Sequence, residues 1–221
     1  MTALTTPARP ARVGGVLAAL LTVLLATGCS PSDAGQPLPT DLRREVGTPS
    51  VPDPGEEPLP ESATEEETII AMLRFELETG VLEQAAVKGE VSSACTAVTD
   101  REFDCVVTFE GHDVNHKVNV TDVSEPSAVM GQRISYEVVE QQVVLTRQAV
   151  LLGMQETIAS SAKNGNDYTD PRCDEFPEVQ VVADGEELEE PNCYATDAEW
   201  PNLTEKFYVS VNSVGPNLFH R

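Results

Sequence analysis

Histidine offers the clearest route to acid–base or metal chemistry in this chain of 221 residues, which contains three: His112, His116 and His220. His112 and His116 lie four residues apart, a spacing that brings two imidazoles to one zinc ion on a helix. On an extended strand, the same spacing separates the two Cα atoms by about 13 Å. The flanking residues alternate between apolar and polar, so we expect His112 in a turn, His116 on an apolar strand face, and neither a metal site nor a cofactor.

The short motifs that identify many enzymes do not occur in the sequence. It contains no Gly-x-Ser-x-Gly elbow, phosphate-binding loop, dinucleotide fingerprint or His-Glu-x-x-His pair. A carboxylate pair of the glycosidase type remains an alternative, but acidic residues in linkers, helix starts and loops are usually solvated. We therefore predict that the chain is not an enzyme, and we assign no catalytic residue.

Acidic residues dominate the charge of the chain, with 37 Asp and Glu against 14 Lys and Arg and a formal net charge of −23. Such a surface repels phosphate backbones and anionic lipid head groups, so we predict no nucleic-acid partner. Residues 184–190 are the best candidate for binding a cation or a basic partner, although they lack the spacing of a calcium loop. A solvated acidic loop is the simpler alternative.

A leader precedes the rest of the chain. Arg9 and Arg12 are followed by an apolar run at residues 13–26, which has the length of a signal-peptide core and is too short for a confident bilayer span. The run ends in the small residues Ala26, Thr27 and Gly28, directly before Cys29.

The stretch Leu25-Ala26-Thr27-Gly28-Cys29 resembles a bacterial lipobox. The resemblance implies that residues 1–28 are a lipoprotein signal peptide and that Cys29 is diacylated, for example with palmitate, as the mature N-terminus. Two acyl chains hold a protein stably on a membrane, so we expect a lipid-anchored protein on the outer face of the cytoplasmic membrane. An ordinary cleaved signal and a retained anchor are the alternatives.

Four cysteines remain after Cys29: Cys95, Cys105, Cys173 and Cys193. In an exported protein an even number indicates disulfides, but four cysteines allow three pairings that the sequence does not distinguish. We predict Cys95–Cys105 and Cys173–Cys193, because each local pair lies within one expected structural unit. A zinc site is disfavoured because no pair has short Cys-x-x-Cys spacing.

Composition and periodicity divide the mature chain into three parts. Residues 29–63 are rich in Pro and Glu and lack aromatic residues, which predicts a disordered stalk. Residues 64–142 begin with a capping box at Thr64 and Glu67, then a helix that we expect to stop at Gly80. Alternating residues after Cys95 predict a hairpin with its turn at residues 110–113, and a further strand around residues 134–138.

Residues 143–221 are expected to repeat this plan in diverged form. Thr146 is placed to cap a helix that ends near Ala162, and an Asn- and Gly-rich break follows at residues 163–171. Strands are expected at residues 179–183 and 207–211. The fold prediction is therefore α+β, with two similar small units, each a helix packed on an antiparallel sheet with one local disulfide. One fused sheet with two helices fits the sequence equally well.

The first unit resembles a family of small two-cysteine domains in actinobacterial cell-envelope lipoproteins, the domain of unknown function 4333 family. The resemblance rests on Cys95, the Phe103-Asp104-Cys105 stretch, Gly111 and the valine-rich run at residues 114–123. It implies a disulfide-linked α+β domain and brings no known activity.

Taken together, these features predict a non-enzymatic binding module in the cell envelope. We expect it to be held to the membrane through the lipid on Cys29 and to contact an envelope protein or a wall component. A carrier of a lipid or other apolar ligand is the first alternative, and a carboxylate-based hydrolase is the second.

Overall fold

The computed structural model describes residues 35–56, 59–60, 62–124 and 133–220. Within these ranges the chain forms two helices and two five-stranded antiparallel sheets, which confirms the α+β class. The helices are α1 (Glu65–Ala85) and α2 (Arg147–Lys163). The strands are β1 (Gln36–Pro37), β2 (Val91–Ala97), β3 (Glu102–Phe109), β4 (His112–Val123), β5 (Ile134–Thr146), β6 (Tyr168–Cys173), β7 (Val179–Ala183), β8 (Glu187–Asp197), β9 (Thr204–Asn212) and β10 (Gly215–Phe219). The predicted leader and Cys29 lie outside the described residues.

Helix α1 begins as its sequence predicts and ends later. The Thr64 side chain accepts a hydrogen bond from the Glu67 amide, and the Glu67 carboxyl group accepts one from the Thr64 amide, so the capping box is confirmed. The predicted stop at Gly80 is wrong, because the helix continues to Ala85. A glycine inside a helix costs about 1 kcal/mol, which the burial of Val81 and the residues that follow it outweighs.

The first sheet has the strand order β2-β3-β4-β5-β7 and packs against α1. The expected hairpin is present as β3 and β4, but its turn consists of Glu110 and Gly111 alone, with φ values of 48° and 80°. Two consecutive residues with positive φ make a tight turn whose twist matches the strands on either side. His112 is therefore the first residue of β4 rather than part of the turn, and it lies exposed opposite Phe109.

The second sheet has the order β1-β6-β8-β9-β10, with α2 packed against it. Helix α2 runs from its predicted cap at Thr146, whose side chain accepts a hydrogen bond from the Ala149 amide at 3.0 Å. The predicted break at residues 163–171 is wrong in its second half, because β6 begins at Tyr168. Its pairing with β8 supplies the backbone partners that the local sequence did not indicate.

One strand of the second half of the chain joins the sheet of the first half. Strand β7 follows α2 and β6 in sequence, yet it pairs with residues Gln142–Thr146 of β5 in the first sheet. The predicted boundary between residues 142 and 143 therefore falls inside β5. Ala86, Ala149 and Leu152 form a small core where the two helices approach each other. The first sheet is therefore built from both halves of the chain, and the second sheet combines four strands of the second half with β1.

Residues 35–50, which we call the strap, differ from the predicted disordered stalk. Gln36 and Pro37 pair with β6, and the Leu38 amide donates to the Pro171 carbonyl at 3.1 Å. Leu42 packs against the core of the second half and against the small core between the helices. Composition indicated that the segment could not form a core of its own, and instead it binds to the surface that the two halves provide.

Both predicted disulfides are confirmed. Cys95–Cys105 joins β2 to β3 and Cys173–Cys193 joins β6 to β8, with Cα separations of 4.1 Å and 3.9 Å. In each case the two cysteines are directly opposite on neighbouring antiparallel strands. Each bond therefore fixes the register of two neighbouring strands.

We expect removal of either disulfide by paired Cys→Ala substitution to lower the free energy of unfolding by about 3 kcal/mol. The loss at Cys173 and Cys193 should be slightly larger, because those residues are 20 positions apart rather than 10. Urea denaturation followed by far-ultraviolet circular dichroism measures both values. Unchanged midpoints in the two double variants would contradict this account of the sheets.

Candidate functional site

A row of opposed side chains crosses the first sheet at its disulfide. Cys95 lies opposite Cys105, and Cys105 lies opposite His116 on β4. His116 is only 3% exposed, which confirms its place on the apolar face, and neither ring nitrogen has a hydrogen-bond partner among the described residues. Burial lowers the pKa of His116 to about 4, because the charged imidazolium cannot be solvated there. His116 is therefore a neutral core side chain at physiological pH.

The second sheet contains a matching row in which an aromatic residue replaces this histidine. Cys173 lies opposite Cys193, and Cys193 lies opposite Phe207 on β9. Phe207 is 1% exposed and makes an edge contact with the ring of His220, whose centroid lies 6.1 Å away. His220 is thus in contact with the body of the protein rather than free at a frayed end. His116 and Phe207 occupy equivalent positions beside the two disulfides.

A buried carboxyl group joins the strap to the first half. Glu78 on α1 is 0% exposed and accepts three hydrogen bonds. The Ser50 amide donates at 2.5 Å, the Ser50 hydroxyl at 2.9 Å and the Ser93 hydroxyl at 2.5 Å. Arg74 Nε donates to the Ser93 oxygen at 3.1 Å, which extends the network to the surface. This group of four residues, which we call the Glu78 clamp, connects α1, β2 and the strap.

The Glu78 clamp is not among the residues that the sequence motifs indicated. A signal was present, because Glu78 precedes Val81, Leu82 and Ala85 by three, four and seven positions, the spacing of a single helix face. An acidic residue on an apolar face requires buried donors. Nothing in the local sequence indicates that Ser50, 28 positions away, is one of them.

Three shallow depressions lie along the strap, with volumes of about 420, 290 and 370 Å³. The first is lined by charged strap residues such as Asp41 and Arg43, and the last by Leu38, Ile158 and prolines. Strap residues form part of each wall. These depressions therefore mark where the strap rests on the body.

Of the predicted acidic loop at residues 184–190, only the first three residues lie outside a strand. Asp184, Gly185 and Glu186 form a turn, and β8 begins at Glu187. Leu188 within it is buried, so Glu187 and Glu189 on either side of it point to the opposite, exposed face of the strand. Gln141 donates to Asp184 at 3.0 Å, and the Ala183 amide donates to Glu186 at 2.9 Å. The segment is a hydrogen-bonded turn leading into a strand rather than one concentrated cation site.

Two surveys of the described part of the chain are negative. No three side chains of His, Cys, Asp or Glu in these ranges lie close enough together to hold a metal ion. None of the helices described here is both long enough and apolar enough to cross a bilayer.

Comparison with known proteins returns no relative. No family model matches the chain, and no curated protein or solved structure matches it.

We expect Ser93→Ala to lower the free energy of unfolding by about 2 kcal/mol, because it removes one donor from the buried Glu78 carboxyl group. Ser92→Ala is the matched control, since Ser92 neighbours Ser93 on the same strand but is exposed. Urea denaturation compares the two variants. Equal midpoints would show that the clamp contributes nothing measurable.

The buried His116 should make stability depend on pH. Its pKa is about 4 in the folded protein and 6.5 in the unfolded chain, so the unfolded chain binds more protons between these values. This contribution to stability is complete above pH 6.5, falls as the pH falls, and is lost by about pH 4, a total of about 3 kcal/mol. His116→Phe, which introduces the residue type that Phe207 supplies at the equivalent position, should remove this part of the pH dependence.

Denaturation at pH 6.5 and pH 4.5 measures the effect as the difference between wild type and variant. His112→Gln is the control, because His112 is exposed at the start of the same strand. The same pH dependence in wild type and His116→Phe would exclude His116 as its source.

Proposed function

We propose that this protein is a lipid-anchored lipoprotein on the outer face of the cytoplasmic membrane, where it acts as a non-enzymatic binding module of the cell envelope. The observation that carries the proposal is the position of the strap directly after the lipobox-like stretch. Gly35 follows Cys29 by six residues, and Gln36 and Pro37 already pair with β6. An anchor at Cys29 would therefore be joined to a folded body and not to a free tail.

The short connection sets how far the body stands from the membrane. Six extended residues span at most about 20 Å. Gly35 has a φ of 80°, and a Cβ atom at this position would lie 2.8 Å from the Cys173 carbonyl, so glycine is required for the strap to approach β6. A lipid on Cys29 would hold the Cys173 end of the second sheet close to the bilayer surface.

We further propose that the two halves are diverged copies of one unit, as the sequence analysis expected. Supporting this, each helix is followed by four strands that are adjacent in their sheet, β2-β3-β4-β5 and β6-β8-β9-β10. A disulfide joins the first two strands of each set. In this proposal β7 is an insertion of the second copy, placed between Cys173 and Cys193, that completes the sheet of the first copy.

The likeness of the first copy to the domain of unknown function 4333 family belongs to the same proposal. The helix, the cross-strand Cys95–Cys105 disulfide and the glycine turn at Gly111 fit the small disulfide-linked α+β domain that the resemblance implies. Interaction with an envelope protein or a wall component remains the proposed role.

Replacement of Cys29 tests the anchor. We expect intact mass spectrometry of the membrane-extracted protein to show a chain that starts at Cys29, carries a diacylglyceryl group and has four oxidised cysteines. Cys29→Ala should move the protein from the membrane fraction to the soluble fraction. Ser30→Ala is the control and should stay membrane-bound. Membrane retention of the Cys29→Ala variant, or an unmodified Cys29, would overturn the anchoring proposal.

A further inference from the structure

The turn between β8 and β9 presents three exposed apolar side chains, Trp200, Pro201 and Leu203, which we call the apolar tip. Trp200 is 67% exposed and Leu203 is 49% exposed. Trp200 is the single tryptophan of the chain. Its indole has no hydrogen bond and no ring contact within the described part of the protein. Large aromatic side chains that are exposed to solvent beside other apolar residues are characteristic of binding surfaces.

Backbone hydrogen bonds hold the apolar tip in one conformation. Asp197 Oδ1 accepts from the amides of Glu199 at 2.8 Å and Trp200 at 3.1 Å. The Leu203 amide donates to the Trp200 carbonyl at 2.7 Å, and the Asp197 amide donates to the Leu203 carbonyl at 3.0 Å. A fixed turn loses little conformational entropy when a partner binds. The exposed indole is therefore presented on a rigid support.

The surroundings of the apolar tip are acidic. Asp197 is the last residue of β8 and Glu199 lies within the turn, and the Asp167 carbonyl accepts a hydrogen bond from the Ala198 amide at 2.9 Å. Beneath the turn, the Tyr168 hydroxyl donates to Glu205 at 2.6 Å. Burial, together with the Glu205 hydrogen bond and the charges of Glu205 and Asp197, raises the pKa of Tyr168 to about 12.

The nearest cation in sequence, Lys206, lies over the Tyr208 ring at 4.8 Å from its centroid. The local charge at the turn is therefore negative, in a chain whose net charge is −23.

The apolar tip and the strap lie at opposite ends of β6. Gln36 of the strap pairs with Cys173, the last residue of β6, whereas Asp197 at the base of the turn pairs with Tyr168, the first residue. Five residues of strand separate these ends by about 16 Å. If the strap connects the protein to a membrane anchor, the apolar tip lies at the end of β6 that is farther from the membrane.

We propose that the apolar tip binds a basic, partly apolar segment of another polypeptide. An arginine or lysine of that segment stacks on the Trp200 indole while its charge is matched by Asp197 and Glu199, and its apolar side chains contact Pro201 and Leu203. This inference rests on the proposed role as a binding module and names the chemistry of the partner. An anionic lipid surface does not fit, since the acidic side chains repel it.

Trp200 itself reports binding, because no other tryptophan contributes to the emission. The full-length protein is titrated with an acetylated nine-residue peptide of alternating Arg and Leu, with an Arg and Gly peptide as the comparison for charge alone. We expect a blue shift of the Trp200 emission with the Arg and Leu peptide, weakened by added salt and smaller with the Arg and Gly peptide.

Two variants complete the test with a fluorescein-labelled form of the same peptide. Trp200→Ala should weaken its binding by about tenfold or more, as expected for a central aromatic contact. Val139→Ala should leave binding unchanged, because Val139 on β5 is also 67% exposed but lies on the other sheet.

Three results would overturn the proposal: no emission shift with the Arg and Leu peptide, equal weakening by Trp200→Ala and Val139→Ala, or a shift with phosphatidylglycerol vesicles in place of the peptide. The titration measures peptide binding at the apolar tip alone, whereas intact mass spectrometry measures the lipidation of Cys29. Failure of one proposal is therefore distinguishable from failure of the other.

Discussion

The architecture depends on contacts between segments that are distant in sequence, above all the pairing of β7 with β5 and the binding of the strap to both halves of the chain. The strap provides the longest such connection, because it pairs with β6 at one end and reaches the Glu78 clamp on α1 at the other. A buried carboxyl group is favourable only when donors surround it, so the two hydrogen bonds from Ser50 favour this position of the strap, and Ser93 of β2 supplies the third donor. The Glu78 clamp thereby fixes the position of α1, β2 and the strap relative to one another.

The two disulfide rows differ in the core residue that lies opposite their second cysteine. Beside Cys193 the core residue is Phe207, which is apolar throughout. Beside Cys105 it is His116, whose two ring nitrogens add polarity without a partner among the described residues. The first core therefore includes a group that charges in acid and the second does not. His116 is therefore a source of acid sensitivity in the first core, whereas Phe207 contributes only apolar packing to the second.

The sequence predicted those elements whose information is local. The capping box at Thr64, the period of two around Phe103 and Cys105, and the local cysteine pairs all depend on neighbouring residues, and the structure contains each of them. Strands β2, β6, β8 and β10 were missed because their partners are set by tertiary contact rather than by alternation. The strap and the Glu78 clamp were missed for the same reason, since the contact between Ser50 and Glu78 joins segments that nothing local connects.

The crossing of β7 into the first sheet has a consequence for the order of folding. A chain made from its N-terminus completes β2 to β5 by residue 146, but the last strand of that sheet ends at residue 183. Strand β1 in turn has no partner until β6 has been made. In both sheets, therefore, an early strand pairs with a late one: β1 with β6 and β5 with β7. Such long-range pairings slow folding. Both sheets can be completed only when most of the chain has been made. A chain that ends before β6 and β7 leaves strands of both sheets without their partners.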